Sequence, residues 1–282
     1  MLTLKKPHFA LCILLAALLV PWLNPFTSGP SPAVLPWLVS AACAVAVWLF
    51  SARLTVQTVA ISWLLAAWVS ALLGLLQYFG QTQGLAPWVH ATALGEAFAN
   101  LRQRNQFASL TSIGLLALLW IVARRPPHSG GRHGLLPAKP GVLVGVIAGV
   151  MLLALGNAAS GSRTGLLQWV LVAGLTWLWV MRSPRGPRMV AGMALFALLA
   201  YAIAVLALPW ALQALTGIES AGLLGRFEEV AGCSSRRVLW ANVLHLIAQK
   251  PWLGWGWGNL DYAHFITLYP GERFCEILDN AC

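Results

Sequence analysis

Charged side chains are scarce in this chain: they make up 9% of its 282 residues, while hydrophobic residues make up 59%. A soluble domain of this length needs far more charge on its surface, so the composition argues against a soluble fold. The chain also lacks the alternation of apolar and polar residues that is typical of membrane β-barrels. No repeat recurs at the periods of solenoid proteins. These absences leave a bundle of membrane-spanning helices.

Cysteine is sparse as well, with five residues and no CxxC or His/Cys spacing that would indicate a metal site. Cys12 and Cys43 fall in apolar stretches, where cysteine usually packs as a small hydrophobic residue. Cys233 and Cys275 lie in the polar C-terminal part, where an oxidising compartment would allow a disulfide between them. Two unpaired thiols are the alternative, because spacing alone does not supply disulfide geometry.

The apolar stretches predict an all-α, polytopic membrane helix bundle of about seven spans, since a helix needs roughly 20 apolar residues to cross the hydrocarbon core. The predicted spans are Phe9–Leu23, Pro36–Phe50, Val56–Phe79, Phe107–Ala123, Gly141–Ala159, Gly165–Met181 and Met189–Leu208. A polar tail follows, so we predict a transmembrane domain over residues 1–208 and a periplasmic loop region over residues 209–282.

The polar tail has structure of its own. Apolar residues at helical spacing predict a helix over Gly225–Gln249, and Pro251 ends it. The run Trp252–Asn259 then alternates tryptophan and glycine. Tryptophans favour the headgroup level of a membrane, and glycines permit close backbone approach, so this run predicts a tight re-entry at the membrane interface.

The net charge of +10 is one that nucleic-acid-binding proteins often carry, but loop charges that set membrane orientation explain it better. With a cytoplasmic N-terminus, ten of the 18 Lys and Arg residues lie inside, and all eight acidic residues lie outside. The opposite orientation would put the basic loops at 124–139 and 182–188 outside, against the positive-inside rule. We therefore expect a cytoplasmic N-terminus, membrane lipids as neighbours and no nucleic acid.

Several arginines remain on the outer side under this assignment. Arg102 and Arg104 precede the fourth span, Arg163 lies between the fifth and sixth, and Arg236 and Arg237 open the tail helix. They are either surface residues that snorkel or pair with tail carboxylates, or they bind an anion. Arg163 favours the anion, because it has no acid nearby in sequence and begins a helix, where N–H groups and the helix dipole attract negative charge. Guanidinium matches phosphate oxygens, which predicts a lipid phosphate or pyrophosphate ligand.

Three segments carry a family resemblance. Asn100–Ala108 (NLRQRNQFA) resembles the signature of the bacterial protein-glycosylation ligases, the pilin-type O-oligosaccharyltransferases. Ser160–Leu166 (SGSRTGL) resembles the Ser-Arg-Thr-Gly motif of the wider O-antigen ligase and polymerase superfamily. Arg236-x-x-x-Trp240 followed by Pro251–Gly256 is similar to the Arg-x-x-x-Trp…Pro-x-x-Gly-x-Gly element of that superfamily.

This resemblance implies a GT-C-like transferase of the bacterial inner membrane. Such enzymes take a glycan from undecaprenyl pyrophosphate and pass it to an acceptor, which for the protein ligases is a Ser or Thr hydroxyl of a periplasmic protein such as a pilin. The matching arginines, Arg163 and Arg236, would hold the pyrophosphate and stabilise its developing charge. Arg102, Arg104 and Arg237 would contribute to the same donor site. The family requires no metal and no cofactor.

The chain departs from the family at its end. Members continue past an Asn-Ala pair like Asn280-Ala281 into His-Asn, whose histidine is the proposed general base, whereas Cys282 ends this chain. The closing helices of the family are absent too. We therefore expect a C-terminally truncated or frameshifted member, or a partial gene model. Because the base is lost, two alternatives stay open for this chain on its own, an active enzyme and an inactive one. His264 is the nearby substitute base, with a helix-facing or interfacial role as its alternative.

Two other functions stay open. An O-antigen ligase or polymerase of the same superfamily would pass the glycan to a glycan acceptor instead, and the NLRQRNQFA run favours the protein ligase. From another class, a transporter or a non-catalytic membrane protein would bind lipid phosphates without transferring them. Transporters place ionisable residues inside their spans, and the predicted spans contain almost none.

Overall fold

The described part of the chain is built from α-helices and their connections. The computed structural model describes residues 7–23, 34–86, 89–90, 92–101, 103–124, 140–183, 188–220, 222–229, 235–256 and 258–267. Within these ranges the chain contains helices and no strand, so the all-α prediction is confirmed. A 3₁₀ turn at Ser51–Arg53 accompanies the α-helices, which are α1 (Pro7–Leu23), α2 (Val34–Leu49), α3 (Val56–Tyr78), α4 (Arg104–Ala123), α5 (Pro140–Ala159), α6 (Arg163–Arg182), α7 (Arg188–Thr216), α8 (Gly222–Glu229), α9 (Ser235–Gln249) and α10 (Leu260–Ile266).

The helices α3 to α7 are the five that are long and apolar enough to cross a membrane. Helix α3 has 23 residues, which at 1.5 Å per residue makes it about 34 Å long and matches the hydrocarbon core. Helices α1 and α2 are apolar but shorter, with 17 and 16 residues. Each of the seven predicted spans therefore corresponds to a helix, and the chain is a multi-pass membrane protein.

Helix α7 is longer than the predicted span. It runs for 29 residues and continues through Pro209 to Thr216, whereas the sequence pattern placed the end of the span at Leu208. A membrane helix tolerates an internal proline because neighbouring helices and local adjustments satisfy the freed carbonyl. By its internal contacts the chain forms two compact units, Met1–Leu223 and Leu224–Cys282.

The first unit is built around α3, which packs against α1, α4 and α5, while α7 packs against α5 and α6. Small residues bring the backbones of these helices close together. Gly114 of α4 lies against Ala67 of α3, and a Cβ on Gly156 of α5 would come within 2.7 Å of the Ala71 Cβ. Close approach of this kind is how helices associate in lipid, where no hydrophobic effect drives them together.

The second unit contains the end of α8 together with α9 and α10. The predicted helix over Gly225–Gln249 corresponds to that end of α8 and to α9, on either side of residues 230–234, which lie outside the described residues. Helix α9 ends at Gln249, two residues before Pro251, as predicted. The glycines that follow have left-handed backbones, with φ of 62° at Gly254 and 91° at Gly256, which glycine adopts without strain.

Candidate functional site

The start of α6 is fixed by a serine. Ser162 is the N-cap residue, and its hydroxyl accepts a hydrogen bond from the N–H of Gly165 at 3.2 Å. The same hydroxyl donates to Asn105 Oδ1 on α4 at 2.7 Å. Arg163 is therefore the first residue of a capped helix, as the sequence predicted, and its side chain is exposed.

Helices α4 and α6 run parallel, with their N-terminal ends side by side. Besides the bond between Ser162 and Asn105, Gln168 Nε2 donates to Ser109 Oγ at 2.9 Å. One turn further along, Ser112 Oγ donates to Gln168 Oε1 at 3.0 Å. The contacts advance in the same direction along both helices, so both first turns lie at the same end of the unit.

Each of these first turns contains an arginine and no acidic residue. Arg104 is the first residue of α4, and Arg163 is the first residue of α6. A cation at a helix N-terminus opposes the helix dipole, so both arginines lie where helix stability alone would favour an acid. Two such ends together, with two guanidinium groups, favour an anion that offers several oxygens.

Arg104 is held by its own neighbours. Its Nη2 atom lies 3.1 Å from Glu96 Oε1, and its Cζ atom lies 5.2 Å from the centre of the Phe98 ring. Both side chains of the ion pair are about one-third exposed, so the pair is accessible from outside the unit. An anionic ligand would compete with Glu96 for this guanidinium.

Glu96 belongs to a turn that a buried glutamine of α3 anchors. Gln77 Oε1 accepts from the N–H groups of Phe98 at 2.6 Å and of Ala99 at 2.8 Å, and Gln77 Nε2 donates to the His90 carbonyl at 2.7 Å. Ala99 has a φ of 52°, a left-handed conformation that is strained for a residue with a side chain. The predicted spans leave this stretch as the connection between Phe79 and Phe107, and the structure adds that Ala97 and Ala99 within it are buried.

A second anchor precedes α4. Asn100 is buried; its Nδ2 donates to the Trp22 carbonyl at 2.7 Å, and its Oδ1 accepts from Ser70 Oγ at 2.8 Å. Sequence reasoning missed Gln77 and Ser70 as supports of the site. Their signal was present, because they are polar residues seven positions apart on one face of an apolar helix.

Close packing also positions the start of α6. Asn157 of α5 is fully buried, and its Nδ2 donates to the Ala108 carbonyl at 3.0 Å and to Thr111 Oγ1 at 2.7 Å. Gly165 lies directly against Asn157 Oδ1, at a distance that leaves no room for a Cβ atom. The glycine of the Ser-Arg-Thr-Gly segment is thus what lets α6 begin beside α4 and α5.

The other predicted site residues are less fully described. Arg236 and Arg237 lie in the first turn of α9, and His264 lies in α10. The structure describes the backbone of these three residues but not their side chains. Arg102 falls outside the described residues. Cys233 and Cys275 do too, so the disulfide stays a prediction. In the part of the chain that the structure describes, no group of three or more His, Cys, Asp or Glu residues could hold a metal ion.

Two protein-family models match the chain. The model described as O-antigen ligase matches residues 148–274, which include Arg163, Arg236 and His264. The model described as protein glycosylation ligase matches residues 97–121, which include Arg102 and Arg104. No curated protein and no solved structure matches the chain.

Proposed function

Because the chain belongs to the O-antigen ligase and protein glycosylation ligase superfamily, we propose that it transfers an oligosaccharide from undecaprenyl pyrophosphate to a Ser or Thr hydroxyl of a periplasmic or pilin-like protein. The families indicate ligase activity with a lipid-linked glycan and a protein acceptor in general. The observation that carries the finer proposal is the hydrogen bond between Ser162 and Asn105. It joins the two family-matched segments and puts Arg104 and Arg163 at one end of the first unit.

The proposed reaction needs positive charge where the leaving group forms. The acceptor oxygen bonds to the anomeric carbon, and the bond from that carbon to the diphosphate oxygen breaks. Its electron pair leaves with the lipid diphosphate. Arg163 and Arg104 are proposed to bind that diphosphate and to stabilise the charge it gains, since preorganised donors contribute most where charge develops. Arg102, Arg236 and Arg237 are proposed to serve the same anion because they match or adjoin the family motifs.

The hydroxyl proton has to be taken up by a base. His264 of α10 is the candidate we propose within this chain, and the contribution expected of a positioned base is about 10²- to 10⁴-fold in rate. We also propose the bacterial inner membrane as its location, with a cytoplasmic N-terminus and the arginine end of the bundle at the periplasmic face.

The substitution Arg163→Ala tests the proposal. We expect glycan transfer to fall about 10²- to 10³-fold, the usual loss when one charge-stabilising donor is removed. Arg182→Ala is the matched control, because Arg182 is the last residue of the same helix and lies at its opposite end. The measurement is glycosylation of an acceptor protein by membranes that are supplied with lipid-linked oligosaccharide.

Membrane insertion and the amount of folded protein have to be equal in the two variants. If both transfer at the rate of the unchanged chain, Arg163 has no part in the reaction and the diphosphate site is wrong. An Arg163→Lys variant separates charge from geometry, since lysine keeps the charge and loses the bidentate pairing that guanidinium offers.

The second candidate is an O-antigen ligase, in which the acceptor is a glycan. The longer of the two family matches, residues 148–274, carries the O-antigen ligase description and favours this alternative. The same membranes supplied with a lipid-linked glycan acceptor instead of a protein distinguish the two. Product on the glycan alone would replace the protein ligase with the O-antigen ligase.

A further inference from the structure

Helix α9 presents an exposed apolar stripe. Trp240, Leu244 and Ile247 follow one another at spacings of four and three residues, so they lie on one face of the helix, and all three are exposed. Asn242 and Leu246 lie on the opposite face and are buried. The helix therefore already has a packed side, and its exposed side is apolar as well.

The stripe continues into the turn that follows α9. Trp252 and Leu253 are each 94% exposed, the most exposed of the large apolar side chains that the structure describes. The turn that carries them is closed by a hydrogen bond from the N–H of Gly254 to the Lys250 carbonyl at 3.0 Å. Two large apolar side chains thus project from an ordered turn.

A lysine and a second tryptophan are fixed beside this pair. Trp255 Nε1 donates to the Leu246 carbonyl at 3.1 Å, which holds the indole against the end of α9. Lys250 Nζ lies 3.8 Å from the centre of that ring. Tryptophan indoles favour the level of the lipid headgroups, and the ammonium group that lies over this indole adds a positive charge there.

The charge of α9 and of the turn after it favours a membrane surface as the binding partner. Helix α9 and the turn after it contain Arg236, Arg237 and Lys250 and no acidic residue, while Glu228, Glu229 and Asp261 lie just outside this stretch. An exposed apolar stripe beside cationic side chains favours binding to a membrane surface, and anionic lipids strengthen such binding. Helix α7, one of the candidate membrane spans, ends at Thr216, and the chain that follows it leads to α9, so α9 is covalently tethered to a membrane-spanning segment.

We propose that the α9 stripe and the Trp252–Leu253 turn, which together we call the interfacial surface, insert into the headgroup region of the bilayer that the first unit spans. In this arrangement α9 lies in the plane of the membrane surface. The inference does not depend on the proposed function, because it needs neither a glycan donor nor a transfer step.

Position 253 provides the test. An environment-sensitive fluorescent amino acid is incorporated at Leu253 in the full chain, which is reconstituted in vesicles of phosphatidylethanolamine and phosphatidylglycerol. The same probe at Gln249 is the matched control, because Gln249 is exposed but lies nine residues from Trp240, on the opposite face of α9. We expect the probe at 253 to report an apolar environment. Nitroxide-labelled lipid should quench it several-fold more strongly than it quenches the probe at 249.

A probe at 253 that stays in a water-like environment would overturn the proposal. So would a probe that is shielded from water but not quenched by labelled lipid, since that result indicates a protein surface as the occupant. A probe at Trp252 gives the same comparison if the first variant does not insert. Vesicles of phosphatidylcholine alone should weaken the quenching at 253, because they remove the anionic lipid.

Discussion

At Gly165 the packing leaves no room for a side chain. A Cβ atom there would overlap Asn157 Oδ1 and would lie 2.9 Å from the Ala108 Cβ. Asn157 cannot turn away without losing its two buried hydrogen bonds, one to the Ala108 carbonyl and one to Thr111. The resemblance of this segment to a family motif thus has a structural reason beside the chemical one.

The substitution Gly165→Ala should therefore lower the thermal stability of the purified protein. Overpacking a close contact of this kind costs about 1–3 kcal/mol in the free energy of unfolding. Gly174→Ala in the same helix is the matched control, because a Cβ at Gly174 meets nothing within 4 Å. There we expect an unchanged or slightly higher melting temperature, since alanine is the better helix former. Equal melting temperatures for both variants would contradict the packing described here.

Among the elements, the turn between α3 and α4 determines where Arg104 lies. Its backbone is bound to Gln77, and its Glu96 carboxylate pairs with Arg104. Gln77, in the last turn of α3, thus ties the end of that helix to the turn that contains Glu96. Because each buried N–H that loses its acceptor costs about 1–3 kcal/mol, this turn should be sensitive to one substitution.

We expect Gln77→Leu to speed hydrogen–deuterium exchange across residues 92–101, because Phe98 and Ala99 lose the acceptor of their N–H groups. Mass spectrometry of peptides from this segment measures the change. Gln57→Leu is the control, since Gln57 is exposed in the first turn of the same helix. If exchange in the segment is the same in both variants, Gln77 does not anchor the turn.

For the protein as a whole, the distribution of charge predicts the orientation in the membrane. The two densest basic segments connect α4 to α5 and α6 to α7, and both arginine-bearing first turns lie at the other end of those helices. The positive-inside rule therefore predicts that the arginines at the starts of α4 and α6 face the periplasm.

Labelling of intact cells with a membrane-impermeant maleimide tests this orientation. In a background whose native cysteines are replaced by serine, we expect Gln83→Cys to react and Ala52→Cys to stay unlabelled until the cells are opened. Both positions are exposed, and they lie beyond opposite ends of α3. The reverse pattern would place the arginine end in the cytosol and exclude a periplasmic donor site.

Much of the architecture could be predicted from composition and spacing. Helix α9 ends before Pro251 and Arg163 begins α6, as predicted, because chain breaks and helix starts depend on a few neighbouring residues. The end of α7 could not be predicted, since Pro209 reads as a stop unless neighbouring helices are known. The Glu96 partner of Arg104 was missed for a similar reason, because the backbone conformation of the intervening turn brings the two together.

Hydropathy and charge were enough to establish a multi-pass helical membrane protein with arginines at helix starts, because lipid requires each span to satisfy its own backbone and to be apolar along its length. The arrangement of the site residues could be seen only in the packed structure. The bonds of Ser162 to Asn105 and of Ser70 to Asn100 join residues 57 and 30 positions apart. Such pairs form only once packing has selected which helices become neighbours, and in lipid that selection depends on the fit of small residues at close contacts.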